Sequence, residues 1–360
     1  MADKLRAGVV GLTSIGARRP DISPWPGTGT LMPHSHVGAY AYLPDTELVA
    51  ACDIVPRLID DFHTTWGDVL PHARGYADYQ EMLANERLDV ISVATSDHRH
   101  AQIVIDAVAA DVRGVICEKP IASTLADADR MINAVESSEI PMLVDHTRRW
   151  MFPWVQVAEV LESGEIGDVQ RITAQQGGPR AMLFRNGTHM LDTVLWFAGG
   201  SPVAVYALAE DGFSDYGPGY ASDGGHDPDT DPAMSALVEF DNGVRAFVNM
   251  CKTMPQVFDL EIYGTTGVVR VNENRATVAT QVGDDTVGGT HSLTLRELPR
   301  PHYTLGAVAG CVAEMVQLIN HGGRPSVDGR TARQVLEVML ATLQSQHAGN
   351  SRIVLPIQDA

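Results

Sequence analysis

Over residues 5–120, four short β-rich runs at 6–11, 47–53, 90–95 and 112–118 alternate with stretches of helical periodicity. A parallel neighbour can be reached only through a crossover, and a helix in each crossover covers the sheet, so this alternation predicts a doubly wound parallel sheet buried on both faces. Between the last two runs, Ala101, Val104, Ile105 and Val108 recur at helical spacing. Tyr79, Met82 and Leu83 mark a shorter helix after Asp78. The pattern changes beyond Pro120. Thr124-Leu125-Ala126-Asp127 has the form of a capping box, and Leu125, Ala128, Ile132 and Val135 give the following helix one apolar stripe. From 168 onward, runs at 169–175, 203–209, 234–240, 244–251 and 258–263 follow one another without intervening helices. Asp241-Asn242-Gly243 joins two of them as a hairpin turn, which makes the second sheet largely antiparallel. Two closing helices are expected near 305–320 and 328–346, the second capped by Asp328. The acidic, glycine-rich stretch 211–232, with six aspartates, reads as a long loop.

At 360 residues the chain exceeds the usual size of one core, so two domains are expected. Twenty-six basic against forty-five acidic residues give a net charge of −19, which argues against nucleic acid or an anionic membrane as partner. Cys52, Cys117, Cys251 and Cys311 lie far apart in sequence, a pattern expected of free thiols in a reducing compartment. No signal peptide or membrane span is read from the sequence, and a cytoplasmic location is expected.

The first run leads into Gly8-Val9-Val10-Gly11-Leu12-Thr13-Ser14-Ile15-Gly16, where a dinucleotide fold places its phosphate turn. Gly11 and Gly16 take the first and third glycine positions, while Thr13 replaces the second and offers a hydroxyl to a phosphate. Ser14 and Ile15 complete the turn. Asp53, at the end of the second run, can accept both ribose hydroxyls of NAD and would repel a 2′-phosphate, so NAD is expected over NADP. Ile54 and Arg57 follow it and belong to the same expected cofactor contact. Gly11 and Asp53 are 42 positions apart, whereas about 20 is usual. Residues 17–33 carry four prolines and hold the insertion, with Trp25 a candidate roof over the cofactor and a long helix starting near His34. The expected fold class is therefore α/β plus α+β: a Rossmann domain at 1–122, then a substrate-binding and oligomerisation domain at 123–360 on a largely antiparallel open sheet.

Glu118-Lys119-Pro120 closes the fourth run, which sets a cation at the carboxyl end of a parallel strand, where such folds bind ligands. Some seventy residues on, His189 and Asp192 are three apart on one helix face, so the carboxylate can orient the imidazole or lie beside it. Together they suggest proton management at a hydroxyl or carbonyl. His146, Arg148, Arg149 and Trp150 follow a further strand at 142–145 and are placed to reach the cleft or to pair across domains. His34, His36, His98 and His100 form two H-x-H pairs, but no carboxylate or cysteine at ligand spacing completes either, so no metal is expected.

The glycine turn, Asp53, Ala94-Thr95-Ser96 before His100, Glu118-Lys119-Pro120, Gly187 to Asp192 and Pro325-Ser326-Val327-Asp328-Gly329 resemble the glucose-fructose oxidoreductase, inositol dehydrogenase and MocA (Gfo/Idh/MocA) family, nearly end to end. The resemblance implies an NAD- or NADP-dependent dehydrogenase acting on sugars, cyclitols or their derivatives, commonly a homodimer or homotetramer that packs the open faces of its second sheets. It also implies cofactor contacts at Thr95, Ser96, His100, Glu118 and Lys119. Ser96 and Asp97 stand where the family usually has proline and asparagine. Arg185, followed by Asn186, stands where many members carry an aspartate. A guanidinium cannot serve as a base, but its fork suits hydroxyl, carboxylate or phosphate groups. The expected substrate is thus a small polyol or sugar bearing an anionic or oxygen-rich substituent, with Lys119, Arg149, Trp150, Arg185, Asn186 and His189 around it.

In the expected reaction His189 accepts the proton of a secondary alcohol as hydride leaves the same carbon, and Lys119 stabilises the developing alkoxide. A partly desolvated lysine is expected to have a lowered pKa. The positive end of its helix would keep His189 neutral, while Asp192 opposes that effect. Two rivals stay open: a lyase or glycosidase that oxidises its substrate transiently on bound NAD, and a non-catalytic dinucleotide sensor.

Overall fold

The computed structural model describes residues 4–19, 33–210, 229, 231–287, 290–300 and 305–357. Its chain forms two compact units, Met1–Trp150 with His302–Arg333, and Met151–Pro301 with Gln334–Ala360.

The first unit runs β1 (Leu5–Val10), α1 (His36–Tyr42), β2 (Thr46–Cys52), α2 (Pro56–Trp66), β3 (Arg74–Tyr76), α3 (Tyr79–Asn85), β4 (Val90–Val93), α4 (Asp97–Ala109), β5 (Gly114–Cys117), α5 (Leu125–Ser137) and β6 (Met142–Val144). Among the described residues its sheet has six strands in the order β3-β2-β1-β4-β5-β6, every pair parallel. That is a Rossmann sheet, and the order reverses between β1 and β4, which opens a crevice at their carboxyl ends. β4 and β5 are buried at every position, as expected of strands covered on both faces. Two elements escaped the sequence reading. β3 is three residues, Arg-Gly-Tyr, with no apolar run to announce it, and its place comes from pairing with Ala50 to Cys52. α2 opens on Pro56 and buries only Phe62 and Trp66.

The second unit holds α6 (Trp154–Glu162), β7 (Val169–Gly177), α7 (Thr188–Ala198), β8 (Pro202–Ala209), β9 (Met234–Phe240), β10 (Arg245–Cys251), β11 (Val257–Gly264), β12 (Gly267–Asn272), β13 (Ala276–Val287) and β14 (Thr290–Glu297). They order as β14-β13-β12-β11-β7-β10-β9-β8, with β10 parallel to β7 and the remaining pairs antiparallel. A further short strand, β15 (Ile353–Val354), pairs antiparallel with β8, so among the described residues the largely antiparallel open sheet is present with nine strands, four more than the sequence reading, which ended at 263. Gly243, at φ 84°, closes the β9–β10 hairpin. Ile172, Ala174, Val248, Met250, Leu260 and Ile262 fill the covered face. Phe247, Leu293 and Leu295 are exposed.

The closing helices divide between the units. α8 (Val308–His321) packs Val308, Val312 and Met315 into the core of the first. α9 (Gly329–His347) starts in the first and continues in the second, its amino end capped by Asp328, whose Oδ1 accepts the Thr331 N–H at 2.8 Å. Segments 123–150 and 305–320, read from sequence as part of the second domain, thus lie with the first. The cause is pairing and packing: β6 adds to β5 as the sixth strand, the Val144 N–H donates to Val327 O at 3.1 Å, and Gly114 leaves room for Met315. All four cysteines are free, and Cys52, Cys117 and Cys311 are buried. No helix among the described residues is long and apolar enough to cross a membrane.

Candidate active site

The turn after β1 is shaped by what it cannot hold. Gly11 has φ +95°, and a Cβ there would stand 2.4 Å from the main-chain oxygen of Ala94, at the end of β4. A Cβ on Gly16 would lie 1.9 Å from Gly11 O. The glycines allow β1, β4 and the turn to meet closely at the point where the strand order reverses. Ser14 lies at φ 42° in the same turn. Main-chain bonds from His36 N to Ile15 O (3.0 Å) and Val37 N to Gly16 O (2.9 Å) dock the start of α1 directly on the turn, while residues 20–32 of the inserted stretch lie outside the described residues. Its roots are pinned: the Trp66 indole donates to Ala17 O at 2.7 Å, and Arg19 pairs with Asp68. Trp25 lies outside the described residues.

Asp53 ends β2 with its carboxylate turned to this turn, where Oδ2 accepts the Leu12 N–H and Oδ1 the Val55 N–H, each at 2.9 Å. Each oxygen keeps a second lone pair for a ribose hydroxyl. Ile54 and Arg57 are exposed beside it, Arg57 paired with Asp61 at 3.5 Å. Thr95 and Ser96, partly exposed, stand between β4 and α4. His100 is buried with ring nitrogens 3.1 Å from Pro120 O and Thr95 O and 3.2 Å from Ile121 O. Engaged in this way, it fastens α4 to the turn that follows Lys119.

Glu118 and Lys119 follow β5 directly. Glu118 is buried, and its Oε2 accepts the Lys119 N–H at 3.1 Å. The His36 Nε2 stands 3.3 Å from Glu118 Oε1 and 3.8 Å from Asp145 Oδ2. Burial pushes the Glu118 carboxyl up, but the His36 hydrogen bond, the Lys119 charge and a main-chain donor outweigh it and hold the group well below the usual carboxylate range. Asp145 goes the other way, raised first by burial and then by the neighbouring Glu118 charge. The H-x-H pairs do not act as pairs. His34 is half-buried near Arg18, its pKa lowered by burial and then by that cation. His36 instead meets two carboxylates that lie 82 and 109 positions away, which no local spacing could reveal.

In the second unit a π-helical turn, Leu183–Gly187, runs into α7 and carries Arg185 and Asn186. Met182 O accepts N–H groups from both Asn186 (3.0 Å) and Gly187 (2.7 Å), the widened geometry that often marks functional positions in helices. Gly187 packs closely on Met250, whose Cε would lie 2.9 Å from an added Cβ and would have to shift. His189 falls in the first turn of α7, partly exposed, with Asp192 fully buried one turn on. The sequence reading missed Asp231, filed there as one of many loop acids. It is buried, and its carboxylate accepts the main-chain N–H of Phe184 (3.0 Å) and of Arg185 (2.9 Å). Pro232 O takes the Leu183 N–H at 2.8 Å. Asp231→Ala is expected to strip these donors of their acceptor at a cost of about 1–3 kcal/mol. Thermal melting and turnover measure the effect, and an unchanged protein in both would remove Asp231 from the site. Of the acidic stretch, 211–228 and 230 lie outside the described residues.

Arg149 and Trp150, named as substrate candidates, lie on a 3₁₀ turn, Thr147–Trp150, and are drawn toward the α8 region: Arg149 donates to Ser326 O at 3.3 Å and the Trp150 indole to Glu314 at 2.6 Å. Arg180 lies near Arg185, and its guanidinium pKa is lowered by burial and then by that charge.

Residues 26–146 match the model of the oxidoreductase family, NAD-binding Rossmann fold, and residues 154–270 match the GFO/IDH/MocA C-terminal domain. The chain is 25% identical over 329 residues to D-apiose dehydrogenase of Rhizobium rhizogenes, covering 85% of this chain and 89% of that one. It is 24% identical over 281 residues to myo-inositol 2-dehydrogenase of Thermotoga maritima, covering 76% and 81%. Among solved structures, the WlbA dehydrogenase of Bordetella pertussis, in complex with NADH and UDP-GlcNAcA, superposes with a TM-score of 0.73 at 21% identity over 99% of this chain and 100% of that one. An oxidoreductase of Agrobacterium radiobacter, in complex with NAD+, L-tartaric acid and magnesium, gives 0.72 at 20% identity over 98% of each.

Proposed function

The chain belongs to the Gfo/Idh/MocA family of NAD-binding oxidoreductases, and from that premise we propose that it oxidises a secondary ring hydroxyl of a sugar, glycoside, sugar acid or cyclitol, with Lys119 and His189 handling the proton. The observation that carries this reading is the edge of the first sheet. There a glycine turn with no room for a side chain, the Asp53 carboxylate and Lys119 all stand at carboxyl ends of parallel strands. Such a turn admits the pyrophosphate of a dinucleotide, and Asp53 suits the free 2′-hydroxyl of NAD.

When bound, the nicotinamide supplies the hydride acceptor. Lys119, anchored by a buried Glu118 that accepts its N–H, offers an ammonium to the substrate oxygen and stabilises negative charge there as the proton leaves. His189, in the first turn of α7, takes that proton. Asp192 orients the ring. Arg185, with Arg180 nearby, recognises an anionic or oxygen-rich substituent. The names of the relatives, an apiose and an inositol dehydrogenase, and the acidic ligands of two structural neighbours support this class of substrate. The exposed Phe247, opposite Leu237, which in turn stands opposite Tyr206, supports assembly into a homodimer or homotetramer through the open sheet.

Initial rates on free sugars, glycosides, sugar acids and inositols with NAD and NADP test the proposal; turnover is expected to favour a sugar acid with NAD, and no turnover on any class would contradict it. Asp53→Ala is expected to lower the NAD-to-NADP preference by about 10- to 100-fold, the worth of hydrogen bonds to a charged group. Because Asp53 also braces the turn, the ratio is the useful readout: a weakened turn affects both cofactors alike. An unchanged ratio would move recognition elsewhere, to Arg57 first.

A further inference from the structure

We propose that His36, Glu118 and Asp145 form a binding site for one divalent transition-metal ion beneath Lys119. His36 Nε2 and one oxygen from each carboxylate all lie within 4.8 Å of one another, with separations of 3.3 Å from the imidazole to Glu118 and 3.8 Å to Asp145. Ligands bound at roughly 2.0–2.2 Å from a shared centre stand about 3–4.4 Å apart, so small shifts admit an ion. The donor set selects the metal class. One imidazole with two carboxylates suits zinc, manganese or cobalt, whereas calcium takes six to eight oxygens.

A second observation points the same way. Asp145 is fully buried, and neither of its oxygens has a hydrogen-bond partner among the described residues. An unsatisfied carboxylate facing a second carboxylate in the protein interior is strongly unfavourable, and a cation between them relieves both the repulsion and the missing ligation. Two carboxylates also neutralise the two charges of the ion. The three ligands come from the first residue of α1, the residue after β5 and the residue after β6. An ion there would tie these segments together and fix the peptide from which Lys119 extends. These are positioning ligands, and the site stands whatever the substrate proves to be.

The test uses the full-length, untagged protein after chelation. Cobalt(II) is titrated and read by its visible absorption, then zinc(II) by calorimetry. One cobalt per chain, with the intense visible bands of a low-coordinate imidazole–carboxylate site and displacement by zinc, is expected. Asp145→Asn and His36→Gln, each checked for folding by circular dichroism, should weaken zinc binding by about 100-fold or more. No bound ion, or only the weak spectrum of a hydrated surface ion, overturns the proposal in the parent protein alone. Undiminished binding in either folded variant overturns it as well.

Discussion

Lys119→Ala is expected to bind NAD with nearly parental affinity and to lose roughly 10²- to 10⁴-fold of its turnover, the range for removing a positioned acid–base or charge-stabilising group. The glycine turn and Asp53, which hold the dinucleotide in this reading, owe nothing to the Lys119 side chain: Gly11 meets Ala94, and Asp53 meets Leu12 and Val55. Glu118 accepts the main-chain N–H of residue 119, a contact that alanine keeps. Fluorescence titration with NADH and steady-state rates separate the two effects. Lys119→Arg sharpens the result, because a guanidinium retains the charge but does not exchange a proton near neutrality. Turnover close to the parent's in Lys119→Ala would end the catalytic assignment.

Gly11→Ala is expected to fail in the opposite way, in cofactor binding and stability. A left-handed φ of +95° in a non-glycine residue costs about 1–3 kcal/mol. The added Cβ would also sit 2.4 Å from a main-chain oxygen that cannot swing aside as a side chain would. The turn must therefore move away from β4, which opens the bed proposed for the pyrophosphate. A lower melting temperature and an NAD dissociation constant raised by about tenfold or more, some 1.4 kcal/mol, are the expected readouts. Parental values for both would show that the turn is not constrained as its geometry implies.

Much of this was legible in the sequence because it is local. The β–α alternation, the glycines after β1, the hairpin at 241–243 and the capping residues Thr124 and Asp328 depend on neighbours within a few positions, and each stands where its pattern placed it. The missed features are tertiary. β3 is too short to carry a period, and α8 is an ordinary amphipathic helix whose return to the first unit is decided by the space above Gly114. Asp231 looked like any loop aspartate until the π-helical turn supplied N–H groups for it. His36 looked like half of an H-x-H pair, whereas its partners are Glu118 and Asp145 at the ends of β5 and β6. Sequence spacing reports on one helix face or one turn; the start of a helix meeting the ends of two strands leaves no such trace.

The central claim is net oxidation of a substrate hydroxyl, with NAD as the stoichiometric acceptor. Counting NADH formed against product formed, on the best substrate of the panel, tests it most directly. The account predicts one NADH for each product molecule, abolished together in Lys119→Ala. Product accumulating without NADH, the mark of a transient redox cycle, would contradict it.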